Sequence, residues 1–394
     1  MITLDPKHYK IAWIAPLEIE AKAAMCLLDE EHHGRFPVSR GDDYVFQAGA
    51  MGGHNIIIAT LPAGHKNDTG SAAALASQVK KFFPNLWFGL LVGVAAGLPN
   101  LSSVPVRDIR LGDVLVSLAV GDSAGLVPYD LGKEMEDGFQ TLGHSLAMTE
   151  TIVLSAIGSI KLRAPNETNL FLPYYEKISD CEHATGTFAD PGQGNDILFD
   201  DNGDDKIVER PQRSKSNHQR ARVWYGPIGS GEKLVKSAKK RDELRDRYGI
   251  IGLEKSAAGI MNRIPVGIIR GVCDYGDRHN NKSWQPYAAA MAASYARALL
   301  DEVPPIEKTP DTGCADKTAE RAYADIAKKV RLRRINKVGN VKDLVYQHLS
   351  LEEYLPQSEN GIILLSTRSG HVAGEFEQLD IIHVDRGCER RKST

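Results

Sequence analysis

The chain has 394 residues, 42% of them hydrophobic and 25% charged, with a net charge of −3. That balance fits a soluble globular protein of two or three domains and leaves no basic surplus for nucleic acid or an anionic membrane. The five cysteines (26, 181, 273, 314 and 388) are scattered and form no C-x-x-C pair, which suits a reducing compartment better than a disulfide framework or a zinc site. The first ten residues lack the apolar stretch of a signal peptide. The longest apolar run, 86–98, is too short to span a bilayer and is framed by Pro84 and Pro99, so the expected location is cytoplasmic.

In chain order, "YKIAWIA" (9–15) reads as a buried strand and 17–33 has helical spacing of apolar residues. Strands are predicted at 44–50 and 54–61, and a helix at 69–83 with a Thr/Ser-rich start. A buried strand follows at 86–95 and another at 112–120. Residues 163–221 are rich in Asn, Asp, Gly, Pro and Arg and read as a long solvated insertion. The alternation then resumes: strand 222–226, helix 232–247, strand 249–252, helix 254–262, strand 265–271 and helix 285–300. This order implies an α/β domain with a mixed central sheet over 1–303, then a proline-containing linker (304–318) and a charged tail (319–394).

Two familiar signatures fail on inspection. "GPIGSGEKL" has P-loop glycines at 226 and 231, but Glu232 stands where the phosphate-binding lysine belongs, and a strand-to-helix turn explains the glycines better. "LFDDNGDDKIVE" (198–209) half-imitates a calcium loop yet begins with Leu198, and reads as an acidic surface loop. The histidines show no metal-ligand spacing. More informative is "IIRGVCDYGDRH" (268–279), where Asp274 ends a buried strand. Ligands of α/β sheets gather at such carboxyl ends, and an acid there can protonate a leaving group. A capping role for Asp274, or pairing with Arg278, is the plainer alternative.

Taken in order, "YKIAWIAPLEIEAKAA", "HNIIIATLPAG", "GLLVGVAAGLP", "DIRLGDVLVS", "YGPIGSGEKL" and "RGVCDYGDRHNNKSWQPYAAAMAASYARALL" resemble the purine nucleoside and uridine phosphorylase superfamily, in its branch of fungal nucleoside-phosphorylase-like domains. The resemblance implies a three-layer αβα sandwich around a twisted mixed sheet. It implies cleavage of the N-glycosidic bond of a purine nucleoside by phosphate or water, without a resident cofactor, and allows a homodimer. Asp274 matches the acid that protonates the purine at N7, and Glu20 the carboxylate that activates water in the nucleosidases. Val94, Ala95 and Gly97 fall in the turn beside the ribose, and Leu234 and Val235 near the base-binding segment.

"GLEKSAAGIM" (252–261) occupies the place of the family's E-M-E-A-A-G motif. Glu254 matches its first glutamate, Lys255 replaces the methionine under the sugar, and Ser256 replaces the glutamate that grips the ribose hydroxyls. Losing two charge-assisted hydrogen bonds of about 1.5–3 kcal/mol each corresponds to roughly a hundred- to ten-thousandfold in rate. Val94 stands where many members carry Ser or Thr. A catalytically degenerate nucleoside-sensing or interaction domain of a receptor-like protein is therefore the alternative. In the tail, 319–332 and 351–373 resemble pieces of an NB-ARC-type module without its Walker sequences.

Overall fold

The computed structural model describes residues 2–121, 123–136, 138–141, 148–200, 206–213, 221–279 and 282–305, with 383–384 and 390–391. The chain divides into two compact units, Met1–Lys308 and Thr309–Thr394. In the second, His383–Val384 pairs antiparallel with Arg390–Arg391. The tail segments that resemble an NB-ARC module lie outside the described residues.

The first unit is built on strands buried on both faces. β1 (Ile11–Ile14), β5 (Phe88–Gly97) and β15 (Val266–Asp274) are near-continuous apolar runs, as expected of parallel strands covered from both sides. β1 lies between β4 (His54–Ala59) and β5, and β15 is parallel to β5 on its other side. β6 (Val114–Ser117) is antiparallel to β15 and carries β12 (Val223–Gly226) outside it. On the far side, β3 (Gln47–Met51) and β2 (Glu30–Glu31) continue the sheet antiparallel. A small flap of β7 (Leu126–Pro128), β13 (Ile228–Ser230) and β14 (Gly252–Glu254) joins through β14 to the end of β5. Two hairpins lie apart from this sheet: β8 (Gly132–Met135) with β9 (Gly138–Thr141), and β10 (Glu182–His183) with β11 (Gly186–Thr187).

Two core clusters cover the two faces. One unites α1 (Glu18–Cys26), α3 (Thr151–Lys161), α4 (Thr168–Ile178) and α7 (Trp284–Glu302) with the sheet, and the other unites α2 (Thr69–Phe82) and α6 (Ala257–Met261) with it. α5 (Ala238–Tyr248) sits beside a third, smaller cluster. The result is the expected three-layer αβα arrangement. α7 is alanine-rich and almost wholly buried, and it comes so close to β15 that a Cβ at Gly271 would sit 1.9 Å from the Ala288 carbonyl oxygen. Only glycine permits that approach.

Several expectations are corrected. The first helix stops at Cys26, not near 33, because Asp29 accepts from the Gly52 amide (2.7 Å) and Arg297 (2.9 Å) and draws the chain into β2. α2 is capped by Asp68, whose carboxylate accepts from the Ser71 amide at 2.7 Å, rather than by Thr or Ser. "GPIGSG" is strand, kink and strand (β12 and β13), and helix α5 starts only at Ala238. The Asp130 carboxylate accepts from the Glu232 amide at 2.6 Å, so an acid occupies the turn where a P-loop would hold phosphate.

The largest correction concerns the insertion. α4 buries Phe171, Leu172, Tyr175 and Ile178 against α7, and Phe188 and Leu198 are buried as well. Arg210 and Arg213 are buried with carboxylate partners: Arg210 with Asp108 (3.4 Å) and Asp196 (3.0 Å), Arg213 with Asp113 (2.5 Å). The arginines that made this segment read as solvated are neutralised by Asp196 within it and by Asp108 and Asp113 outside it. No helix among the described residues is long and apolar enough to cross a membrane.

Candidate active site

Glu20 lies in the first turn of α1, where its Oε2 accepts from the Leu17 amide at 2.8 Å and so closes the helix start. Its Oε1 accepts from the Val94 amide of β5, also at 2.8 Å. The carboxylate lies directly over Gly93: a Cβ there would meet Glu20 Oε1 at 2.0 Å and an Arg270 nitrogen at 2.6 Å. This strand position must therefore be glycine, since any side chain would displace both charged groups. Burial pushes the Glu20 carboxyl up, against the lowering influence of Arg270 and the two backbone amides, and Glu254 adds to the rise.

Asp274 ends β15. A bulge between Val272 and Asp274 shifts the register so that Asp274 faces Ala96 of β5, while Gly271 faces Val94. Bulges of this kind re-aim a side chain at the end of a strand. Asp274 Oδ1 accepts from the Gly276 amide at 2.8 Å and Oδ2 from the Cys273 thiol at 3.4 Å. Burial raises its pKa above the ordinary carboxylate value, the Gly276 amide and Cys273 thiol oppose this, and Asp277 adds a smaller rise. The buried Cys273 thiol is pushed far up by burial first, then by Asp274, and by Glu20 as well. Cys273 thus senses both carboxylates. The Val94 amide that holds Glu20 is only two residues, roughly 7 Å, along β5 from the partner of Asp274.

Glu254 is placed differently. Its Oε2 accepts from the Ser256 amide at 2.9 Å and from Arg270 at 2.5 Å, and its Oε1 accepts from the Ala257 amide at 3.0 Å. It closes the start of α6 and neutralises Arg270, whose other end group lies 3.9 Å from Glu20. The next amide, of Ala258, donates to the Ser230 hydroxyl at 3.0 Å. All three amides at this helix start are therefore engaged within the protein. The Ser256 hydroxyl donates to the Asn67 amide oxygen at 2.7 Å. Lys255 is half-buried, and its charge helps to hold Asp68 below the usual carboxylate range, after the Ser71 hydrogen bonds.

The other expected residues are spread around this centre. Val94 is half-buried and packs on the α1 side of the sheet. Ala95 belongs to the core cluster of the opposite face, and Gly97 faces Val272 and Ile109. Leu234 is 59% exposed, and Val235 packs on the small cluster beside α5. Arg270 and Asn67 were not anticipated. An arginine inside "VGIIRGV" is a usable signal, since a buried guanidinium requires a carboxylate partner. Asn67 sits in a loop, where asparagine is common, and gave none.

No family model matches the chain. A nucleotide-binding leucine-rich repeat (NLR)-like protein of Hyaloscypha variabilis is 36% identical over 311 residues, covering 77% of this chain. The match spans only 30% of that longer protein. Among solved structures, futalosine hydrolase of Helicobacter pylori aligns with a TM-score of 0.50 and 17% identity, over 75% of this chain and 98% of that one. The 5′-methylthioadenosine/S-adenosylhomocysteine nucleosidase of the same organism aligns with a TM-score of 0.50 and 15% identity, over 75% and 99%. At these identities the likeness shows the shared fold.

Proposed function

We propose that the first unit cleaves the N-glycosidic bond of a purine nucleoside with water. The observation that carries this reading is the pair of carboxylates, half-buried Asp274 at the end of β15 and buried Glu20 on α1, bonded to the adjacent strand β5, both raised above their ordinary values. A raised carboxyl retains its proton closer to neutrality and can deliver it as a general acid; a raised carboxylate is also a stronger base. Asp274 donates its proton to N7 of the purine, and the C1′–N9 electron pair leaves with the neutral base. Glu20 takes a proton from the water that attacks C1′, so the released sugar carries a hydroxyl. The two structural neighbours, a hydrolase of futalosine and a nucleosidase, associate this fold with that chemistry.

Water is favoured over phosphate by the residues present. Glu20 and Glu254 would repel an anion, Val94 offers no hydroxyl, and the amides at the start of α6 are engaged by Glu254 and Ser230. Incubation of the full chain with a panel of purine nucleosides, with and without phosphate, tests this by release of free base. Release that does not depend on phosphate is expected; strictly phosphate-dependent release would overturn the choice of nucleophile.

A second reading is favoured by Ser256. Its hydroxyl is bonded to Asn67, and no carboxylate occupies that position to grip the sugar diol. On this reading the unit binds a nucleoside-like ligand with little or no turnover, as the sensing part of a longer receptor-like chain. The NLR-like relative is consistent with it. Saturable nucleoside binding without base release would support the sensor over the enzyme.

A further inference from the structure

The inserted segment meets the stretch between Asp274 and the start of α7 at three points. The Asn195 carbonyl accepts from the Trp284 indole at 3.3 Å, and Phe199 stacks on His279 with ring centroids 3.7 Å apart. The third contact is the nearest to the acid. Tyr275, the residue after Asp274, is buried, and its hydroxyl donates to the Asp196 carboxylate. The same oxygen accepts from Arg210 Nη2 at 3.0 Å and from the Leu111 amide at 3.3 Å. A phenol has one hydrogen to donate and two lone pairs to accept with, so this hydroxyl is saturated. Arg210 is held from two sides, by Asp196 at 3.0 Å and Asp108 at 3.4 Å, with its guanidinium 5.3 Å from the centre of the Tyr275 ring.

Asp274 itself has little to hold it. Among the described residues its hydrogen bonds come from the Gly276 amide and the Cys273 thiol, near neighbours in the chain that move when the loop moves. On the strand side, pairing with β5 fixes the backbone up to Asp274. Beyond it, the chain is fixed through Tyr275: its carbonyl accepts from Arg241 at 3.3 Å, and its ring is tied at the hydroxyl. We infer that Asp196 and Arg210 are positioning residues of the site, which fix the Tyr275 hydroxyl and thereby the Asp274 carboxylate one residue earlier. The inference rests on the reading of Asp274 as the acid for its effect on turnover, and on the geometry alone for the positioning. It gives the inserted segment a part in the chemistry, since a displacement of about 1 Å in a reacting group costs on the order of 10²-fold in rate. Because Asp196 and Arg210 belong to that segment and Asp108 to the loop before β6, the acid depends on parts of the chain far from its own strand.

The test removes one oxygen and no charge. Tyr275→Phe in the full chain keeps the ring but frees the loop from Asp196 and Arg210. Cleavage of purine nucleosides is expected to fall about ten- to a hundredfold in kcat, with KM within about twofold, because the acid is misplaced while the binding surface is not. Hydrogen exchange reads the same event without turnover. The Gly276 amide donates to Asp274, so its exchange is expected to speed up at least about tenfold while β1 and β5 keep wild-type protection. Asp196→Ala is read in the same two ways, and decides the matter if Tyr275→Phe does not fold. Unchanged Gly276 exchange overturns the positioning role, and so does exchange that rises throughout the sheet, which would make the contact a support of the fold alone. A wild-type kcat beside a loosened Gly276, or a loss confined to KM, overturns its link to the acid. If wild-type protein releases no base and Gly276 still loosens in the variant, the positioning of Asp274 stands and its assignment as a catalytic acid is what fails.

Discussion

Asp274 and Glu254 are two acids that end strands of the same sheet, and the protein treats them in opposite ways. Asp274 is half-buried with one backbone amide and one weak thiol donor, and burial raises its carboxyl. Glu254 has two backbone amides and a guanidinium on its two oxygens. A carboxylate that must donate a proton needs unfilled hydrogen-bonding capacity; one that closes a helix start and neutralises a buried arginine has none left. Glu20 stands between them: anchored by two amides, yet still raised by burial. Residue type at a motif position does not distinguish these roles, whereas the count of donors on each oxygen does.

The contrast is broken most directly by removing the charge at each site in turn. Asp274→Asn and Glu20→Gln should each lower nucleoside cleavage by about 10²–10⁴-fold, the usual contribution of a positioned acid or base, with the folded state retained. Steady-state base release with purified, folded variants checks this. If either variant keeps wild-type turnover, that carboxylate is structural. Glu254→Gln should act on stability instead. It leaves the buried Arg270 with only the distant Glu20 as a counter-charge, and should destabilise by about 2–3 kcal/mol in denaturant titration. Its effect on turnover, measured where the protein is folded, should stay below about tenfold. A stable Glu254→Gln protein without activity would instead make Glu254 a substrate ligand and erase the contrast.

A smaller change sharpens it from the other side. If Ser256 leaves the sugar ungripped, the double variant Lys255→Met, Ser256→Glu should raise kcat/KM for some purine nucleoside by at least about tenfold, the worth of one charge-assisted bond. The new carboxylate has to displace Asn67 from its bond to residue 256. Adding Asp274→Asn should abolish the gain. A folded double variant that remains inert on every nucleoside would favour the sensor.

How much of this was legible in the sequence depends on how local the cause is. The strands at 11–14, 54–59 and 88–97 are continuous apolar runs, and their burial follows from composition. Asp274 and Glu20 drew notice because they sit at strand and helix ends, where α/β sheets collect ligands. The inserted segment reads as solvated because its arginines find their carboxylate partners, Asp196 within it and Asp108 and Asp113 outside it, only in three dimensions, although Phe171, Leu172, Tyr175 and Ile178 already repeat at helical spacing. The bulge that re-aims Asp274 depends on strand register, and no stretch of sequence carries it.

The smallest predicted effect concerns the pH dependence of stability at Asp274. The Asp274 carboxyl is raised in the folded protein above its ordinary value of 3.8, chiefly by burial. The folded state therefore holds this proton more tightly than the unfolded chain does. Its stabilising contribution is complete below pH 3.8 and is lost as the pH rises through the raised folded value, because the buried group must then ionise. Asn carries no such proton. The melting temperature of Asp274→Asn relative to wild type should thus climb as the pH rises out of the acid range and level off once the wild-type carboxyl has ionised. Thermal melts of the two proteins across the acid-to-neutral range decide the matter. A flat difference for Asp274→Asn would mean that the group ionises in the fold as easily as in water, and would remove the physical basis for casting it as the acid.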